Sequence, residues 1–313
     1  MNHLIPRGLR LLLLGLTTLP LCAACDNLLE YHPYEGRING KTDILSRNIP
    51  AIEEACRGRK QLRIAFISDT QRWYDDTHDC VDHINARGDI DFVLHGGDMT
   101  DFGATDEFEW MRDELERLQM PYATVIGNHD CVGHGEHIYE KMFGAKNYGF
   151  TAGSVRIECL NTVALEYDYS DPVPDFTFMK REREIVDSIN AAVPDSITHT
   201  IFVMHSRPGD EQFNNNVADA FNYYITQYPG MADDAPQFTP ETLGTSMVRT
   251  LGTDTIVGTK RLSFCLCGHN HRYEVLNIFD NGILYYGCTN VAKREYLVFT
   301  INETGYDFER VFF

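Results

Sequence analysis

Short apolar runs alternate with longer amphipathic segments from Leu62 to Met204, and this alternation confines the chain to a layered α/β architecture with parallel strands at its centre. Arg63-Ile64-Ala65-Phe66-Ile67-Ser68 is bounded by polar turn residues and predicts a buried strand, as do Asp91–His95 and Tyr122–Ile126. Helices are expected over Thr77–Arg87, over Thr105–Gln119 behind the capping-type start Thr105-Asp106-Glu107-Phe108, near Glu136–Phe143 and over Phe176–Ala191. Strands near Tyr148–Phe150, Val155–Leu160 and His199–Met204 continue the pattern. The last third is rich in strands, at Leu262–Cys267, Tyr273–Phe279, Ile283–Tyr286, Tyr296–Ile301 and Tyr306–Phe312, with Asp280-Asn281-Gly282 as a hairpin signal. Together these predict a four-layer α/β/β/α sandwich: two facing mixed sheets flanked by helices. Cys265 and Cys267 alternate along one apolar run and should share a face of a buried strand as packing residues.

The ends of the chain read differently. Arg7 and Arg10 precede the apolar run Leu11–Leu21, which leads through small residues to Cys25, the order of a secretory signal peptide. The run is too short to span a bilayer comfortably. Ala23-Ala24-Cys25 resembles the lipobox of bacterial lipoproteins, with Cys22 where an aliphatic residue is preferred. The expected organisation is a lipoprotein-type signal peptide over 1–24, a tether and lead-in over 25–60 and one domain over 61–313. Cys25 would carry the lipid, and the protein would be exported and held at a membrane surface without a spanning helix; an ordinary cleaved signal with an incidental Cys is the alternative. The chain has 27 basic against 46 acidic residues, a net charge of −19, and losing a leader that holds Arg7 and Arg10 makes it more negative. Such a balance opposes general nucleic-acid binding, which draws on Lys and Arg, and suits divalent cations.

Five polar clusters each follow an apolar strand: Asp69-Thr70-Gln71, Gly97-Asp98-Met99-Thr100-Asp101, Gly127-Asn128-His129-Asp130, His205, and Gly268-His269-Asn270-His271. Ligands gather at the carboxyl ends of strands in α/β sheets, so the clusters should converge on one edge. Any one alone is ordinary, since an Asp at a strand end caps helices and Asn-His-Asp makes turns. Gly97, Gly127 and Gly268 would permit the turns that deliver the next side chain into a cleft. Carboxylate, carboxamide and imidazole together make a mixed oxygen and nitrogen site suited to manganese, iron, zinc or magnesium.

In order and type the clusters resemble the calcineurin-like metallophosphoesterase superfamily, whose blocks run Asp-x-His, Gly-Asp-x-x-Asp, Gly-Asn-His-Asp or Glu, a lone His, and Gly-His-x-His. The resemblance spans about Leu62 to Arg294. It implies two metal ions, divalent or trivalent: Asp69 and His271 hold the first, with Gln71 at the remaining position of that site; His205, His269 and Asn128 hold the second; Asp98 bridges both. It also implies that His129 protonates the departing alkoxide, oriented by Asp101, while a metal-bridging hydroxide attacks. Two cations about 3.5–4 Å apart can activate a shared water, hold phosphate oxygens and offset charge in an in-line displacement. Asp130 reads as a turn residue.

Gln71 stands where the first block most often has His, and its neutral amide is a weaker donor toward transition metals. It admits a competing interpretation, a weakened or inactive ligand-binding lipoprotein on the same fold. Asn128, His129, Arg207 and Asn270 are candidate substrate contacts; Arg207 could instead pair with Asp210 or Glu211, and Asn270 could instead shape its turn. The substrate is expected to be a phosphorylated small molecule, a phosphate mono- or diester, with nucleotides or phosphodiesters favoured. Choice among them should come from Ser206–Thr259, a long polar stretch in which Tyr223, Tyr224 and Tyr228 could stack on a base or pack against the domain.

Overall fold

A computed structural model describes residues 32–33, 36–164, 173–231, 262–303 and 305–313. The leader, Cys25 and much of the polar stretch before Thr259 lie outside them. In chain order the helices are α1 (Ile44–Cys56), α2 (Tyr74–Arg87), α3 (Thr105–Leu115), α4 (Gly135–Met142), α5 (Phe176–Ala192) and α6 (Ala218–Ile225). The strands are β1 (Gln61–Ile67), β2 (Phe92–His95), β3 (Tyr122–Thr124), β4 (Tyr148–Ala152), β5 (Val155–Leu160), β6 (His199–Met204), β7 (Phe264–Cys267), β8 (Glu274–Leu276), β9 (Leu284–Gly287), β10 (Glu295–Asn302) and β11 (Gly305–Phe312). They form a five-stranded sheet, β11-β10-β1-β2-β3, and a six-stranded sheet, β4-β5-β6-β7-β9-β8. In the first, β1, β2 and β3 run parallel and β10 and β11 antiparallel. In the second, β5, β6, β7 and β9 are parallel and β4 and β8 close the edges antiparallel. Two mixed sheets flanked by helices match the expected architecture.

Side-chain alternation explains the layers. Ile201, Val203, Phe264, Leu266, Leu284 and Tyr286 turn toward the first sheet, whereas Phe202, Met204, Cys265, Cys267 and Tyr285 turn to a second core with α5 and α6. Cys265 and Cys267 thus share the helix-facing side, and all seven described cysteines are free thiols. The seam between the sheets is aromatic: Phe264 stacks on Phe299 at 4.6 Å and Tyr286 meets Phe299 edge-on at 5.0 Å. Each such buried ring contributes about 1.5–3 kcal/mol relative to exposure.

Element ends depart from expectation for local reasons. Helix α2 begins at Tyr74, three residues early, with Asp75 and Asp76 complementing its N-terminal dipole, and ends on Gly88 at φ 67°. Helix α3 stops at Leu115 because the backbone tightens to i−3 bonds, Arg117 to Glu114 and Leu118 to Leu115 at 3.1 Å each. Its start uses half of a capping box: Glu107 accepts from the Phe102 and Ala104 amides at 2.9 and 3.2 Å, while Ala104 offers no side-chain acceptor. The β8–β9 connection is wider than a two-residue hairpin and spans Asn277–Ile283. There Asn277 accepts from the Gly282 amide at 3.2 Å and Asn281 from the Ile283 amide at 3.1 Å. Beyond Ser206 the chain is locally helical in α6, where Tyr224 stacks on Phe176 at 5.0 Å; just after it Tyr228 is buried with its hydroxyl on the Met179 carbonyl at 2.6 Å. Those two tyrosines pack against the domain, and Tyr223 faces solvent.

Candidate metal centre

Five loops meet at one edge of the sandwich, beyond the carboxyl ends of β1, β2 and β3 in one sheet and of β6 and β7 in the other. Backbone bonds lace the first two together: the Asp69 amide donates to the Gly97 carbonyl at 3.0 Å, and those of Thr70 and Gln71 to the Asp98 carbonyl at 3.0 and 3.1 Å. Of the three glycines expected to permit the turns, Gly97 is left-handed, at φ 92°. Gly127 and Gly268 are small for another reason, because a Cβ on Gly127 would sit 2.2 Å from the Asp98 amide nitrogen and one on Gly268 2.2 Å from Ser68 Oγ. They let loops approach rather than bend. The left-handed backbone falls instead on the functional residues themselves, Asp69, Asp98, His269 and His271, at φ 55°, 56°, 72° and 51°. Each costs on the order of 1 kcal/mol, a strain of the kind that clusters at functional sites.

This backbone brings the expected ligands into mutual reach. Asp69, Asp98 and His205 are fully buried, and one ligand atom from each lies within 4.8 Å of the others. Asp98 Oδ2 is 3.3 Å from His205 Nε2, and Asp69 Oδ1 is 3.2 Å from His271 Nε2. Asn128 Oδ1 lies 3.0 Å from His205 Nε2 and 3.1 Å from His269 Nδ1. Gln71 Nε2 is 3.5 Å from His271 Nε2, and Gln71 Oε1 is buried with no hydrogen-bond partner among the described residues. His205 Nδ1 donates to the Gly96 carbonyl at 2.8 Å, which fixes the ring and frees Nε2 toward the carboxylates.

The electrostatics call for a cation. Burial opposes charge on His205, yet Asp98 and then Asp69 raise it to about 10. Burial likewise works to raise Asp98, but His205 outweighs it and the carboxyl is held below its usual range. His271 is raised by its bond to Asp69, and His269 is lowered by burial and by His205. Two buried carboxylates, met by histidines and by an orphaned amide oxygen, fit divalent metal ions.

The remaining candidates sort by geometry. The His129 amide donates to Asp98 Oδ1 at 2.9 Å, which sets that residue beside the central carboxylate. Its Nδ1 donates to the main-chain carbonyl of Asp101 at 2.9 Å, with the Asp101 carboxylate 3.8 Å away and paired to Arg72. Asp101 therefore holds His129 through its backbone rather than through the carboxylate expected, because Arg72 takes the latter. Asp130 is the buried turn residue anticipated: it accepts from the amides of Met99, Thr100 and Gly127 at 2.9, 2.8 and 3.0 Å. Arg207 corrects the substrate-contact reading. It is a buried guanidinium rather than a free phosphate contact, held by Glu274 Oε1 at 3.0 and 2.6 Å and by Asp210 Oδ1, one of its two expected partners, at 3.0 Å. Asn270 donates to the same Asp210 oxygen at 2.8 Å, so it braces its loop rather than reaching for substrate.

Sequence reasoning missed three supporting residues. His95 bridges the first two loops, accepting from the Gly97 amide at 3.1 Å and meeting Thr70 Oγ1 at 2.9 Å. Burial depresses it to about 4, so it is a neutral brace. Its signal was a polar residue ending an apolar strand directly before Gly96-Gly97-Asp98. Arg72 and Glu274 carried no signal, since their partners are remote in sequence.

No curated protein matches the chain. Among solved structures, GAP50 of Plasmodium, titled the anchor in its inner membrane complex, is similar at 12% identity with TM-score 0.51, covering 81% of this chain and 85% of that one. The purple acid phosphatase PPD1 of yellow lupin aligns at 14% identity and TM-score 0.45 over 82% of this chain and 55% of its own. PhoD aligns at 8% identity and TM-score 0.45 over 81% and 69%. The model of the calcineurin-like phosphoesterase family matches residues 62–273, the span that contains every loop of the centre. The chain belongs to the calcineurin-like phosphoesterase family, whose members are metal-dependent phosphoesterases.

Proposed function

We propose that the chain is a binuclear metallophosphoesterase that hydrolyses a phosphate mono- or diester, nucleotide or phosphodiester, without a covalent phosphoenzyme. The observation that carries this reading is the burial of Asp69 and Asp98 with histidines as their basic partners among the described residues, beside the Gln71 oxygen that has no partner among them. Asp69, Gln71 and His271 would hold one ion, Asn128, His205 and His269 the other, and Asp98 both. When bound, such ions supply an activated water and offset the charge on phosphate.

The protein's own groups do the rest. His129 is anchored at Nδ1 by the Asp101 carbonyl, so Nε2 is the nitrogen left to carry a proton to the leaving oxygen. The bond from its amide to Asp98 keeps that ring in register with the bridging carboxylate. His205, locked at Nδ1 by Gly96, turns Nε2 inward without rotamer freedom. From residues 1–25 we further propose export and lipid anchoring at Cys25, which would place the enzyme at a membrane surface among phosphorylated small molecules.

The test is turnover of a chromogenic phosphate ester by the manganese-replenished protein, with chelator, Asp98→Asn and His129→Ala as controls. Chelator-sensitive turnover lost in both variants supports the reading; none in the loaded wild type overturns it. A non-catalytic binding protein is the second reading, favoured by the neutral donor at Gln71, and the same assay separates the two.

A further inference from the structure

The ion pair between Arg72 and Asp101 is flanked by aromatic rings that belong to neither hydrophobic core. Trp73 follows Arg72 and is 38% exposed; Phe102 follows Asp101 and is 60% exposed. Trp110, 55% exposed, meets Tyr74 edge-on with ring centroids 5.8 Å apart. Both tryptophans of the chain are in this group. The Arg72–Asp101 pair joins the two loops that carry Trp73 and Phe102, and exposed apolar patches mark binding surfaces.

The rim is tied by backbone to the chemistry. Asp101, which holds His129 Nδ1 through its carbonyl at 2.9 Å, is bonded covalently to Phe102. The Trp73 amide donates to the carbonyl of Thr70 at 3.1 Å, inside the loop that carries Asp69 and Gln71. Phe102 thus follows directly on the carbonyl that holds His129, the residue read as serving the leaving group, and Trp73 closes the turn that carries Asp69 and Gln71. Arg72 between them adds a planar cation suited to the face of a ring.

From this juxtaposition we infer that Trp73 and Phe102 form a leaving-group subsite that selects phosphate esters of flat aromatic alcohols or nucleosides over esters of small aliphatic alcohols. The inference rests on the proposed hydrolase reading and deepens it. Stacking needs a π-face and little else, so the subsite would distinguish planar from non-planar leaving groups rather than one base from another.

The test compares kcat/KM for 1-naphthyl phosphate and glycerol 2-phosphate on the manganese-loaded full chain. Trp73→Ala and Phe102→Ala should each lower the naphthyl value about tenfold more than the glycerol value, and Trp73→Phe should restore most of the difference. Both rings are exposed, so the variants should fold, which unchanged metal content and melting temperature would verify. Equal effects on the two esters overturn the inference while leaving the hydrolase reading intact. It is overturned as well if the variants lose association with phosphatidylglycerol vesicles while the ratio stays fixed, which would make the rim a membrane contact. If the wild type hydrolyses neither ester, nor the diester bis(4-nitrophenyl) phosphate run beside them, the hydrolase reading fails and the inference falls with it.

Discussion

Two pairs of buried carboxylates in this molecule are treated in opposite ways. Asp210 and Glu274 are satisfied by the chain itself: Glu274 Oε1 takes two Arg207 nitrogens and its Oε2 takes Arg272 at 3.0 Å, while Asp210 Oδ2 accepts the Arg207 amide at 3.0 Å. Asp69 and Asp98 are at least as buried, yet the basic groups that reach them are His271 and His205, which lend charge only by holding a proton. The first pair is a finished structural joint. The second is a set of donors arranged for a cation from outside.

Removing a carboxylate from the open pair should have the largest consequence. Asp98→Asn should cut metal-dependent turnover by at least about a thousandfold, since the proposed centre shares that carboxylate between its ions, as a steady-state assay with metal analysis would show. Breaking the closed pair should instead cost stability: Arg207→Ala strands two buried carboxylates and should destabilise the fold by about 3–5 kcal/mol in urea denaturation, with metal content retained by the folded fraction. His129→Ala should leave metal content unchanged while kcat falls by about a hundredfold or more.

The pH dependence separates the pairs more gently. In the metal-free protein His205 is raised to about 10 from an ordinary 6.5. Its contribution to stability is therefore complete below about pH 6.5 and is lost as pH rises through about 10. Metal-loaded protein, where that imidazole is a neutral ligand, should not show the loss. Melting temperatures from pH 6 to 10 with and without chelator would reveal the gap. The smallest effect is expected from Gln71→His, which should slow chelator stripping of the first ion by supplying a better donor.

Much of this was legible in the sequence because the signals are local. Apolar runs placed β1 to β7 within a few residues, and the clusters behind them hold Asp69, Asn128, His205, His269 and His271, which the structure brings near Asp98. What could not be read was pairing across the chain. Arg207, in the loop after β6, finds Glu274 at the start of β8 across 67 residues, a contact that no local pattern announces. Whether Asp101 would hold His129 by carboxylate or by carbonyl depended on Arg72, whose φ of 59° aims it back at that carboxylate. Nor does any local pattern announce that the left-handed backbone would fall on Asp69, Asp98, His269 and His271.

The central claim is that the open pair exists to be closed by two ions. Elemental analysis of protein stripped, replenished with manganese or zinc and freed of excess metal tests it most directly. The account predicts two ions per chain in the wild type and one or fewer in Asp98→Asn, with Arg207→Ala unchanged among folded molecules. A wild-type chain that retains no metal after replenishment would contradict it.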